Sequence, residues 1–321
     1  MLSRVAERMY WFGRYIERAE NTARLINVNA NVLLDLPKMT SHIWESLIDI
    51  SGSNEEFYNK FGKADERNTI KFMIADDSNP GSILMSIRMA RENARTTREI
   101  IPNESWEAIN ELYLLTKQQA GTSSKREGRQ VLLDNIINRC HQLTGLIANT
   151  MSHGEAYKFK RIGANLERAD MTTRIIDVGC LNLLSRKEGI PEAFNNILWM
   201  NVLRSLSAYQ MYKQYVRDRV NGEDVVAFLL QDDEFPRALA CCLLEMNQSV
   251  QELPKNDLVL RSISRLQRIL VELDIEKLFN ARLHEFIDEL QVDLAIIHSH
   301  VSQTWFDYTS TDVDPDIYAS G

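Results

Sequence analysis

Two short lines of this chain gather the residue types that could do acid–base or ion-binding chemistry. In GRYIERAENTARLINV, residues 13–28, Glu17, Glu20 and Arg24 recur at three and four; in GANLERADMTTRIIDV, residues 163–178, Glu167, Asp170 and Arg174 repeat the pattern. Eight of the sixteen positions are identical at a spacing of 150 residues. At about 100° per residue each trio shares one flank of a helix, with Glu20–Arg24 and Asp170–Arg174 one turn apart. Arg14 and Arg18 fall on the other flank, near Trp11; Arg168 matches Arg18, and Ala164 replaces Arg14.

Three chemistries fit these charges. On a solvated face, Glu20–Arg24 and Asp170–Arg174 are intrahelical pairs worth about 0.3–0.5 kcal/mol each. Facing a cleft, the arginine forks hold an anionic group, while a carboxylate holds an amine or, at Glu17 or Glu167, acts as general base. Buried and fully paired, the same charges fix helix register and nothing more. A third line, SILMSIRMARENARTTREII at 82–101, stacks Arg91, Arg95 and Arg98 into a cationic ridge beside Glu92 and Asn93. Either its arginines are partly solvated and pack by their stems, or the ridge is neutralised by an anionic ligand or by acids of a neighbouring helix such as Glu17 or Glu167.

Helices must position all of these residues. The chain has 13 Gly and 7 Pro in 321 residues, and six of the prolines, Pro37, Pro80, Pro102, Pro191, Pro236 and Pro254, fall where helices should begin. Between them apolar residues recur at three and four, and no alternating stretch reads as a strand. The pattern predicts an all-α multi-helix bundle with helices over 2–35, 41–50, 54–61, 66–75, 81–100, 103–120, 127–150, 155–186, 191–219, 223–231, 236–251, 255–273 and 276–306. One domain over 1–306 is expected, with a polar tail at 307–321. In the first helix Leu2, Val5, Met9, Phe12, Ile16, Ala19, Ala23, Ile26, Ala30 and Leu33 form one stripe. Ile162, Leu166, Ala169, Thr173, Ile176, Cys180 and Leu183 repeat it. The small residues Ala19, Ala23 and Ala169 suit a close approach. The two repeated helices either pack against each other or occupy equivalent places in two pseudo-repeated halves.

Composition excludes several classes. Lys+Arg 37 against Asp+Glu 45 gives −8, and no basic run marks a nucleic-acid surface. The N-terminal line lacks the apolar core of a signal peptide, and no window approaches the roughly 18 apolar residues of a membrane span, so a cytoplasmic protein is expected. Cys140, Cys180, Cys241 and Cys242 show no CxxC spacing and read as mostly buried thiols. His298 and His300 read as surface or packing residues. Asp76–Asp77 and Asp232–Asp233 lack the further acid of prenyl-transferring enzymes, and there is no Gly-rich phosphate loop or nucleophile elbow. No metal or cofactor is expected; a metal among these carboxylates would be a hard ion held through oxygens.

MLSRVAERMYWFGRYIERAENTARLINV at the start, NPGSILMSIRMARENARTTREIIPNESWEAINELYL at 79–114, FKRIGANLERADMTTRIIDV at 159–178 and RDRVNGEDVVAFLLQDDEFPRAL at 217–239 resemble the bacterial Alpha-E family. The resemblance runs from Met1 to about Phe306. It implies a helical protein encoded beside circularly permuted ATP-grasp proteins and transglutaminase-like peptidases, in systems that make or modify small peptides or amide-linked metabolites. It marks Arg14, Glu17, Arg18, Glu20, Asn21, Arg24, Arg91, Glu92, Asn93, Arg95, Glu167, Arg168, Asp170 and Arg174; Met171 takes the place of Asn21 in the second copy. The expected function is a cytoplasmic component of an amide-forming system, binding an amino-acid-like or peptidyl ligand in a Glu/Arg-lined interior site beside an ATP-grasp ligase. The alternatives are an enzyme making or cleaving an amide with Glu17 or Glu167 as base, and a structural adaptor.

Overall fold

Polar side chains start several helices by capping free backbone amides: Asp65, Ser82, Asn221 and Asp274 accept from the amides three residues on. The computed structural model describes residues 1–35, 40–121, 125–184 and 192–306. Among these it is all-α, without strands. The first seven helices are α1 (Ser3–Asp35), α2 (Thr40–Ser51), α3 (Asn54–Lys60), α4 (Glu66–Ala75), α5 (Ile83–Arg95), α6 (Asn103–Gln119) and α7 (Arg126–Thr150). Then follow α8 (Glu155–Leu184), α9 (Glu192–Ser205), α10 (Tyr209–Tyr215), α11 (Gly222–Gln231), α12 (Leu239–Gln251), α13 (Asp257–Val271), α14 (Ile275–Ala281) and α15 (Leu283–Trp305). Pro37, Pro191 and the tail 307–321 lie outside the described residues.

Three expected helices are interrupted. The one over 81–100 ends at Arg95, where the Thr96 and Thr97 hydroxyls bond back to the carbonyls of Glu92 and Asn93 and the chain turns before Pro102. The one over 191–219 breaks at Ser207, which adopts a left-handed φ of 54°. The one over 276–306 divides at Arg282, whose φ of −145° separates α14 from α15.

Helices α1 and α8 lie at the centre, each against the other. α1 also packs on α5 and α7, which α6 bridges; α8 packs on α12 and α15, which α13 bridges. Of its expected stripe α1 buries Met9, Phe12, Ile16, Ala19, Ala23 and Ile26, joined by Tyr10 and Leu25; Leu2, ahead of the helix, is exposed, Val5 and Ala30 are half-buried, and the side chain of Leu33 lies outside the described residues. In α8, Ile162, Leu166, Ala169, Thr173 and Ile176 are buried; the side chains of Cys180 and Leu183 lie outside the described residues. Buried apolar residues from α1 to α15 form one connected cluster.

The alanines are buried, but glycines set the tightest approach. A Cβ on Gly13 would stand 2.2 Å from the carbonyl oxygen of Lys160, and one on Gly163 would stand 2.0 Å from that of Tyr10. Only hydrogen fits at either place. These two glycines are the first residues of the two repeated lines, so the repeat meets itself at the crossing.

Candidate functional site: the charge network between the two repeated helices

One turn beyond the glycine crossing, the two Glu-Arg dipeptides face each other and exchange partners. Arg18 donates from Nε to Glu167 Oε1 at 2.5 Å and from Nη2 to Oε2 at 2.9 Å. In return Arg168 donates from Nε and Nη2 to the two oxygens of Glu17, both at 2.9 Å. Each is a two-point fork–carboxylate pair, the strongest geometry available to these groups. Glu17 and Glu167 are buried. Arg14 adds a third bond to Glu167 at 2.7 Å, while its own guanidinium lies 5.2 Å from the Trp11 ring centre.

A residue that spacing alone did not reveal completes the other side. Arg237, in the turn before α12, donates to Glu17 Oε1 at 3.1 Å, Asn21 Oδ1 at 2.5 Å and Glu20 Oε2 at 2.6 Å. Thr172 of α8 holds its carbonyl at 2.8 Å. Glu20 also accepts from Arg24 and lies 3.3 Å from His141 Nε2. The sequence signals for Arg237 are faint: it lies within the family-resembling segment 217–239, and Asp232-Asp233-x-x-Pro236-Arg237 echoes Asp76-Asp77-x-x-Pro80-Gly81.

Burial by itself raises a carboxylic acid's pKa, yet here the guanidiniums win. Against that burial, Arg18 and Arg14 lower Glu167 to about 2. Arg168 and Arg237 likewise hold Glu17 below its ordinary value, and Arg237, with His141 and Arg24, does so for Glu20. These carboxylates are ionised and occupied. A base this weak, with its lone pairs engaged by arginines, is poorly suited to removing a proton at neutral pH.

Asp170 and Arg174 differ. Arg174 Nε donates to Asp170 Oδ2 at 3.0 Å, with side-chain exposures of 32% and 22%, so the pair reaches solvent. The pair borders two cavities. One, of about 240 Å³, is also lined by Arg18, Thr22, Ser51, Ser53, Asn79 and Gly81; the other, of about 210 Å³, by Arg14, Gln291 and His298. Gly52 makes room for the guanidinium: a Cβ there would lie 2.6 Å from Arg174 Nη1, and its φ is +66°. His298 accepts from or donates to the Tyr10 hydroxyl at 2.7 Å, so the packing role expected of it comes with a hydrogen bond and a place on a cavity wall.

The third group of expected residues stands apart. On α5, Arg91 bonds to Glu92 at 2.8 Å and Asn110 at 2.7 Å and lies over the rings of Trp106 and Tyr113; Arg95 bonds to Glu92 at 2.8 Å. Asn93 is half-buried on the same helix, its carbonyl held by Thr97. Arg98 lies 5.1 Å from Trp106. Glu92 and the aromatic faces of α6, rather than Glu17 or Glu167, meet the ridge, and Arg95 and Arg98 are exposed, so the partly solvated alternative holds. Among the described residues, one group could hold a metal: Asp177 of α8 with His284 and Asp288 of α15. It lies outside the arginine network, and His284 Nδ1 already meets Asp177 Oδ1 at 2.6 Å. Cys140, Cys241 and Cys242 are free and buried, as expected.

Similarity to known proteins adds context. An uncharacterized protein of Mycobacterium bovis and two of Mycobacterium tuberculosis are each 22% identical to this chain over 273 residues. The match covers 78% of this chain but 30% of each relative, so the chain spans about a third of their length. No solved structure matches. Among the described residues no helix is long and apolar enough to cross a membrane. Residues 1–306 match the Alpha-E model, described as a predicted alpha-helical domain with a conserved ER motif, and the chain, whose central helices interlock through two such Glu-Arg pairs, belongs to that family.

Proposed function

We propose that this chain is the ligand-holding helical component of an amide-forming system, working in the cytoplasm beside a circularly permuted ATP-grasp ligase and, in some systems, a transglutaminase-like peptidase. Its buried Glu-Arg pairs hold two helices in register. Its open Asp170–Arg174 pair binds an amino-acid-like or peptidyl group and presents it to the ligase.

The observation that carries this reading is the contrast within one network. Glu17, Glu20 and Glu167 are saturated by arginine forks, whereas Asp170 and Arg174 are paired to each other and border two cavities. A carboxylate beside a planar guanidinium offers complementary charge to an amine and a carboxylate. The same contrast disfavours an amide-forming or amide-cleaving enzyme with Glu17 or Glu167 as base. The mycobacterial relatives extend well beyond the matched part, which covers 30% of their length and leaves room for further domains in the same chain.

The test is reconstitution. The chain is purified and mixed with a circularly permuted ATP-grasp protein, and ATP-dependent ligation of amino acids and short peptides is followed with and without each component. Product should require both chains, and Arg174→Lys should fold normally and abolish it. Amide formation or cleavage by this chain alone would overturn the proposal.

A further inference from the structure

The helices after α1 and after α8 follow one another in step. α4 spans Glu66–Ala75 and α11 spans Gly222–Gln231; α5 spans Ile83–Arg95 and α12 spans Leu239–Gln251. All four boundaries are displaced by the same 156 residues. Asp76 and Asp232 each cap the end of their helix, and each accepts from the amide two residues on. The turn Pro80-Gly81 before α5 therefore corresponds to Pro236-Arg237 before α12.

This correspondence explains the 240 Å³ cavity. Arg237 sends its guanidinium to Glu17, Glu20 and Asn21. The matching turn has Gly81, which sends nothing, and the positions matching the acceptors are Glu167, Asp170 and Met171. Gly81, Glu167, Asp170 and Met171 all line that cavity. By that correspondence the cavity lies beside the residues that match the partners of Arg237.

We infer that this cavity binds a free α-amino acid, its ammonium group taking the place of the missing guanidinium beside Asp170 and its carboxylate meeting Arg174. Asp170 has the capacity. Its counterpart Glu20 accepts from Arg24 through one oxygen and from Arg237 through the other, whereas among the described residues Asp170 pairs with Arg174 through Oδ2. Charge selects a zwitterion over a bare cation. Arg14, which lines the neighbouring cavity, and Arg18 already serve Glu167, and Arg174 serves Asp170, so three arginines pair with two acids and an isolated cation would add to an excess. A free amino acid brings its own carboxylate. Its two charged groups are also adjacent, matching an Asp and an Arg that touch at 3.0 Å. Loss of the Asn21 equivalent at Met171 removes one acceptor, and the Ser51, Ser53 and Asn79 side chains provide polar wall in its stead.

This inference rests on the reading of Asp170–Arg174 as a ligand pair, but its test needs no ligase. Each proteinogenic L-amino acid is titrated calorimetrically into the purified chain, together with N-acetyl and methyl-ester forms of any that bind. At least one free amino acid should bind, and blocking either its amine or its carboxylate should weaken it at least tenfold. The decisive variant is Gly81→Arg. A Cβ there meets nothing nearer than Asn79 Oδ1 at 3.2 Å, so the new side chain fits with a slight shift of that amide. It should raise the melting temperature and abolish amino-acid binding. Absence of binding by every amino acid, equal binding of the blocked forms, or binding retained in Gly81→Arg would each overturn the inference. Ligase stimulation that persists alongside any of these would leave the proposed partnership standing and remove the amino-acid assignment alone.

Discussion

Glu167→Gln removes the charge from a carboxylate that accepts from Arg18 at 2.5 and 2.9 Å and from Arg14 at 2.7 Å. The Glu167 side chain is 3% exposed and its partners 22% and 12%, so water can do little to replace it. Breaking one partner out of a buried pair costs on the order of 3–5 kcal/mol. Lowering of its pKa from 4.5 to about 2 corresponds independently to about 3 kcal/mol. At roughly 2 °C per kcal/mol for a chain of this size, the melting temperature should fall by about 6–10 °C. Urea unfolding followed by circular dichroism gives the free energy, and a double-mutant cycle with Arg18→Met should return a coupling of about 1–3 kcal/mol. A loss under about 1 kcal/mol, with no coupling, would mean that these pairs behave as surface ion pairs and do not lock the helices.

Acid should find the same groups. Glu17, Glu20 and Glu167 are all lowered in the fold, so their stabilisation is present above about pH 4.5 and is lost as pH falls toward 2; unfolding free energies measured from pH 7 to 2 should stay level and then drop, more gently in Glu167→Gln. Lys160 is the opposite case: burial, helped by Arg168, pushes it down to about 8 from 10.5. The folded chain binds fewer protons than the unfolded one between those values, so Lys160→Met should stabilise by up to about 3 kcal/mol at pH 7 and lose that gain by about pH 10.5, as read from melts at both pH values. Gly13→Ala and Gly163→Ala each drive a methyl into a backbone carbonyl, and each should cost at least about 1–3 kcal/mol in urea melts; a neutral outcome would show that α1 and α8 can separate freely.

Much of the fold is legible because its signals are local. The three–four spacing of Met9, Phe12, Ile16 and Ala19 and the prolines before helices all act within a turn or two of chain. The breaks at Arg95, Ser207 and Arg282 are less so, because the apolar pattern continues past each of them while the backbone leaves the helix. The site is legible in part. Glu17, Arg18, Glu167 and Arg168 announce themselves by repeating, but their exchange depends on how two glycines let two helices cross, which no spacing encodes. Arg237 is a lone arginine after a proline, and its role appears only once the turn lies against α1. Arg91 and Arg95 illustrate the reverse: a cationic ridge in sequence pairs with Glu92 on its own helix, while Arg91 lies over Trp106 and Tyr113 and Arg95 reaches solvent.

The division between buried Glu-Arg pairs that hold the helices and an open Asp170–Arg174 pair that holds a ligand is tested most directly by two lysine variants. Lysine keeps the charge and loses the two-point fork. Arg18→Lys and Arg174→Lys are melted with and without an amino acid that binds the wild type. Arg18→Lys should lower the melting temperature by several degrees. Arg174→Lys, whose pair is partly exposed, should melt within about 2 °C of the wild type and lose the ligand-induced shift. A shift retained in Arg174→Lys, or an Arg18→Lys protein as stable as the wild type, would contradict that division.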